Sequence, residues 1–169
     1  MSELKSNPSG DGAVRRSVRH LSIINENDGW ETPKVMLWDF FQKIKIFPRL
    51  DVCTTKEIAR RQRFAKFFTK EQDALKQQWD EDFFMNCPYS EAPEWIAYAY
   101  EQAYKHEVNG IILSFSKTDT KWWHQFVENN KQCEVHFIKG RVKFHVDGKE
   151  SENSAPYPSC WIIFKGRMR

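Results

Sequence analysis

Four adjacent residues, Asn86-Cys87-Pro88-Tyr89, carry the groups best suited to chemistry in this sequence, and they follow the apolar run Phe83-Phe84-Met85. The run reads as a short buried strand and the tetrapeptide as a rigid turn at its end. A side-chain amide, a backbone carbonyl held by the next proline and an aromatic ring are thereby brought together. That set suits an exocyclic amine on a flat base. The Asn86 amide oxygen and the Cys87 carbonyl can each accept one amine hydrogen, drawing the nitrogen lone pair out of ring conjugation, while Tyr89 stacks on the ring. The same residues also read as a polar turn with Tyr89 packed beneath it, so the surrounding elements have to decide.

Residues 1–27 mix Ser, Asn, Gly and charge with few apolar positions and read as a mobile arm, with Arg15, Arg16 and Arg19 either solvated or on phosphate. Order is expected from Trp30, with Thr32 capping a helix that starts at Pro33 and buries Leu37, Phe40, Phe41 and Ile44. Residues 49–53 read as the first strand of a doubly wound sheet. Asp51 near its end is either a turn carboxylate or an acceptor for a cationic ligand. The strand Phe83-Phe84-Met85, a helix over residues 91–106 and the apolar run of residues 110–115 make a βαβ unit. The stretch before that unit is too short for two full strand–helix repeats, so the sheet is trimmed on that side. Asp119 and Thr120 are placed to cap a further helix, with Lys117 or Lys121 near phosphate. Residues 134–138 and 142–146 alternate as strands joined through Lys139-Gly140-Arg141, residues 147–153 read as a flexible loop, and residues 160–164 form the last strand.

Composition narrows the class. The chain has 169 residues, the size of one ordinary domain, and its 40% hydrophobic content with 13 Phe, 7 Trp and 5 Tyr excludes wholesale disorder. A net charge of +3 permits a polyanionic partner without demanding one. Charge clusters locally: Lys56, Arg60, Arg61, Arg63, Lys66 and Lys70 oppose only Glu57, forming either a groove wall for phosphates or a solvated helix face. Cys53, Cys87, Cys133 and Cys160 are scattered, and no apolar leader or membrane-length run is present, so a reduced, cytoplasmic protein is expected. Cys133 and His136 lack a second pair at matching spacing, which argues against a metal site.

Several short blocks occur in a specific order: Trp30-Glu31-Thr32-Pro33, Leu50-Asp51-Val52-Cys53, Phe67-Phe68-Thr69 with Asp73-Ala74-Leu75 and Trp79, and Asn86-Cys87-Pro88-Tyr89-Ser90. Thr118-Asp119-Thr120-Lys121-Trp122, Phe137-Ile138-Lys139-Gly140-Arg141 and Asn153-Ser154-Ala155-Pro156-Tyr157-Pro158-Ser159 complete the series. From Trp30 onward the chain thus resembles the phage-type DNA adenine-N6 methyltransferases, often called the Dam family. The family pattern has proline where this chain has Cys87. The donated group there would be the carbonyl, which any residue supplies, although the turn loses one rigid element.

The resemblance implies a single α/β domain over residues 28–169: a trimmed doubly wound, Rossmann-like methyltransferase fold with a mostly parallel sheet, an antiparallel closing strand and no separate target-recognition domain. It implies S-adenosylmethionine as cofactor, with Trp30, Thr32, Pro33, Asp51, Asp73 and Asn86 around it. Asp51 would meet the methionine ammonium and Asp73 the adenine. Asn86, Cys87, Pro88 and Tyr89 would act on an adenine flipped out of DNA, and Arg60, Arg61, Arg63, Lys66, Lys139 and Arg141 would line the DNA path. Three alternatives stay open: a methyltransferase-fold DNA-binding or regulatory module that has lost activity, an RNA substrate, and cytosine-C5 methylation with Cys87 as nucleophile. In that last scheme the cysteine follows a proline, whereas here it precedes one. The partner expected is DNA, without membrane or metal; the oligomeric state is open.

Overall fold

The computed structural model describes residues 30–167, so the arm expected over residues 1–27 lies outside it. Six strands form one sheet in the order β2-β1-β3-β4-β8-β5. They are β1 (Leu50–Asp51), β2 (Lys66–Phe67), β3 (Phe83–Met85), β4 (Asn109–Phe115), β5 (Cys133–Phe137) and β8 (Ser159–Lys165). A separate two-stranded ribbon pairs β6 (His145–Val146) with β7 (Lys149–Glu150). β1 pairs in parallel with β2 and β3, and β3 with β4, whereas β8 runs antiparallel to both β4 and β5. The sheet is therefore mostly parallel. Its one antiparallel strand is interior, with β5 at the edge, rather than closing the sheet from outside.

Strand alternation assigns side chains to two apolar layers. Phe83, Met85, Ile112, Cys160, Ile162 and Phe164 pack beneath α3 (Ala92–Lys105), against its buried Trp95, Ile96, Ala99 and Ala103. Phe84, Ile111, Leu113, Trp161 and Ile163 face the other way, toward α1 (Lys34–Ile44) and its buried Leu37, Phe40 and Phe41. β3, α3 and β4 form the expected βαβ unit. Gly110 is required where the strands meet: a Cβ there would lie 2.4 Å from the Phe83 ring.

Several local expectations give way to other physics. α1 begins after Pro33 and carries no side-chain cap; Thr32 is buried and its hydroxyl has no hydrogen-bond partner. The first strand shrinks to two residues. After α2 (Lys56–Gln62), capped by Thr55, the chain reaches the two-residue β2 and then only 3-10 turns at Lys70–Gln72 and Ala74–Lys76, which is the predicted trimming. The helix after β4 is a π-helix over Trp123–Val127, and Thr120 Oγ1 donates back to the Lys117 carbonyl at 2.7 Å instead of capping it. Residues 142–144 are not strand. The polar stretch that follows is no loose loop: Asp147 (φ 52°) and Gly148 (φ 77°) turn the β6–β7 hairpin, both positive φ values matching a type I′ turn. Among the described residues no helix is long and apolar enough to cross a membrane, and no group of three or more His, Cys, Asp and Glu side chains is placed to hold a metal.

Candidate active site

The chain leaves β1 toward β2 on one side, then returns across β1 to β3 on the other, so strand order reverses at β1. Ligands in open α/β sheets sit beyond the carboxyl ends of strands at such a switch point. Asp51 is the last residue of β1, and Asn86 immediately follows β3, whose Phe84 is in register with Asp51. The two polar residues singled out in the sequence thus stand at the ends of adjacent parallel strands, at that switch point.

Asp51 is 2% exposed, and its Oδ1 accepts the Cys53 backbone N–H at 3.1 Å. Burial dominates and pushes the carboxyl up from 3.8 to about 7; the hydrogen bonds from the Cys53 backbone and the Thr54 side chain only partly offset it. Among the described residues no cation pairs with it, and a buried carboxyl of that kind is costly to ionise.

Asn86 is held at both ends of its amide. Nδ2 donates to the Trp30 carbonyl at 2.8 Å, and Oδ1 accepts the Tyr89 hydroxyl at 3.1 Å. Because a carbonyl can only accept, Trp30 fixes which end of the amide is nitrogen; Oδ1 keeps a second lone pair. Tyr89 stacks on Phe115 with centroids 3.7 Å apart and planes at 17°, and burial raises its phenol well above the ordinary value, so it stays a donor. Trp30 stands edge-on to Tyr89 at 6.5 Å and stacks on Phe144 at 4.8 Å. Cys87 is 3% exposed and belongs to the apolar layer under α3, whereas Tyr89 packs with the opposite layer. A thiol buried among apolar side chains is a poor nucleophile, which weighs against the cytosine scheme.

The segment bearing Trp30 is strapped down. Glu31 exchanges backbone hydrogen bonds with His145 of the β6–β7 hairpin, both at 2.8 Å. Its carboxylate takes Arg61 Nη2 at 2.8 Å, while Gln62 Nε2 donates to the Thr32 carbonyl at 2.6 Å. A Cβ on Gly148 would sit 3.3 Å from Arg61 Nε, so hairpin, strap and α2 converge there. Glu31, Gln62, Phe115 and Phe144 were not singled out in the sequence; the Asp147-Gly148 turn signal was the one clue to the hairpin.

The remaining candidates scatter. Pro33 lines a separate apolar groove of about 550 Å³ with Met36, Phe40 and Trp161. Asp73 adopts positive φ between the 3-10 turns and pairs with Lys76 at 2.6 Å. Arg61 and Lys66 are engaged by Glu31 and Glu81, while Arg60, Arg63 and Lys139 are exposed; Arg141, also exposed, donates to the Pro156 carbonyl at 3.4 Å.

A side-chain amide and a buried carboxyl thus stand at the ends of adjacent parallel strands, where open α/β sheets bind their ligands. Residues 22–168 match the family described as DNA N-6-adenine-methyltransferase (Dam), and the chain belongs to that family. It is also similar to a DNA N-6-adenine-methyltransferase of Haemophilus phage HP1 (strain HP1c1), with 26% identity over 144 residues covering 83% of this chain and 80% of the relative.

Proposed function

We propose that this chain, a member of the DNA adenine-N6 methyltransferase family, transfers the methyl group of S-adenosylmethionine to an adenine rotated out of DNA into a crevice between the ends of β1 and β3. The observation that carries this is the Asn86 amide, oriented by the Trp30 carbonyl and the Tyr89 hydroxyl beside buried Asp51.

The residues present fit the cofactor. The Asp51 carboxylate would hold a methionine ammonium and be kept ionised by it, and the unpartnered Thr32 hydroxyl offers a buried polar contact. S-adenosylmethionine, when bound, supplies an electrophilic methyl group. Asn86 Oδ1 and the Cys87 carbonyl would each accept one hydrogen of the adenine amine, freeing its lone pair to attack. Tyr89, backed by Phe115, would stack on the base. Neither an amide nor a carbonyl is basic enough to keep the proton the methylated amine releases, so it passes to water. Exposed Arg60, Arg63, Lys139 and Arg141 would meet the DNA backbone, whereas Arg61 anchors the strap.

The test is incubation with labelled S-adenosylmethionine and unmethylated DNA, followed by nucleoside analysis. Label in N6-methyladenine is expected; label in methylcytosine, or on RNA alone, would overturn the assignment.

A further inference from the structure

β4 and β8 bring two loops together beyond the crevice. Phe115 at the end of β4 is in register with Ser159, and the Ser116 N–H donates to the Pro158 carbonyl at 2.9 Å. Lys117 and Tyr157 therefore leave the sheet side by side. Lys117 Nζ lies 4.8 Å above the Tyr157 ring centroid. Tyr157 is 44% exposed, yet its inner edge packs on Phe115 at 5.3 Å and 58°, and Phe115 in turn carries Tyr89. A continuous path of rings leads from the surface to the residue proposed to stack on the target base.

We propose that Tyr157 and Lys117 are a docking point for the DNA strand beside the target adenine, the ring stacking on a neighbouring nucleobase and the ammonium meeting a phosphate. The proposal rests on the adenine-methylation reading above. The ring contacts of 3.7 Å and 5.3 Å keep Tyr157 within about 9 Å of Tyr89, and successive bases along one strand are about 3.4 Å apart, so the platform is in reach of a nucleotide within two or three steps of the target. The ring stands between Pro156 and Pro158, which fix the backbone, so little freedom is lost when a base stacks there. Stacking and a phosphate contact are indifferent to sequence: Tyr157 is a positioning residue that places the strand and leaves target choice to other groups.

A purely structural lid over Phe115 would need only apolar bulk, and that difference sets the experiment. The full chain is assayed with labelled S-adenosylmethionine on mixed-sequence unmethylated duplex DNA, with cofactor affinity measured alongside. Tyr157→Leu and Tyr157→Ala are expected to raise the DNA KM about tenfold with kcat within about twofold, and Tyr157→Phe to match the parent. Lys117→Gln should lower the salt dependence of DNA affinity by about one unit of slope. A parent-like KM in Tyr157→Leu, or a Tyr157→Phe variant as weak as Tyr157→Ala, overturns the proposal. An active parent with indifferent Tyr157 variants sinks this inference alone, whereas a parent placing no methyl on DNA adenine sinks the reading beneath it.

Discussion

The Trp30 carbonyl lies 2.8 Å from Asn86 Nδ2 and so decides which end of the Asn86 amide presents its lone pairs to the crevice. A carboxylate cannot donate to that carbonyl. Asn86→Asp keeps the acceptor but loses its orientation, and Asn86→Ala loses both. Each is expected to lower methyl transfer by about a hundredfold or more with an unchanged circular dichroism spectrum. Near-parent turnover in Asn86→Ala would remove Asn86 from the chemistry.

Tyr89 contributes a ring and a hydroxyl that can be separated. Tyr89→Phe keeps the stack on Phe115 but deletes the hydrogen bond to Asn86 Oδ1, so a loss of about tenfold or less is expected. Tyr89→Ala removes the platform as well and should cost far more. Equal losses in the two variants would mean the ring does not stack on substrate.

The role proposed for Asp51 predicts a pH-dependent cofactor affinity. With its carboxyl raised to about 7, a cationic group binds the ionised form, so affinity for S-adenosylmethionine should fall below about pH 7 and level off above it. For the unliganded protein the sign is opposite. A raised folded value contributes stability that is complete below about 4 and lost as pH rises through about 7. Asp51→Asn should therefore flatten both profiles, bind cofactor weakly and melt higher than the parent at pH 8. Calorimetry showing an unchanged binding profile would return Asp51 to a structural role.

The arginines divide by partner. Arg61→Ala takes the paired cation from Glu31, which is 5% exposed and keeps a 3.4 Å hydrogen bond from Gln62 Nε2, and should lower stability by about 2 kcal/mol in urea unfolding. Arg60→Gln with Arg63→Gln should leave stability alone and reduce the salt dependence of DNA binding by about two units of slope. If the double variant binds DNA with the parent's slope, α2 is not on the DNA path.

Cys87 is expected to act through its backbone. Cys87→Pro and Cys87→Ala should retain adenine methylation, the alanine variant losing on the order of 1 kcal/mol of stability through the vacated space in the apolar layer. Loss of activity in both, with cofactor binding intact, would assign the thiol a part in the reaction.

The βαβ unit and the Asn86 turn were legible because continuous apolar runs and flanking prolines are local signals. Thr32 was misjudged as a cap because its type suits that role, whereas Pro33 takes the cap position and the buried Thr32 hydroxyl makes no bond to the helix end. The Asp147-Gly148 hairpin was overlooked although its dipeptide announces it, since the polar residues around it also fit a loop. The Trp30 carbonyl could not have been found: a backbone oxygen that orients a side chain 56 residues away has no residue type to mark it. The interior place of β8 was equally hidden, because pairing order is a long-range property that no local pattern encodes.

β8 is the last strand of the sheet to be synthesised, yet it lies between β4 and β5. Until it emerges from the ribosome, β4 has an unpaired edge and β5 has no strand to join, although both have already been translated. Assembly of that half of the sheet must wait for β8. A stalled or clipped chain lacking residues 159–165 would expose the apolar edge Ile111-Ile112-Leu113 to other nascent chains, and such a fragment is expected to aggregate rather than persist as a smaller folded protein.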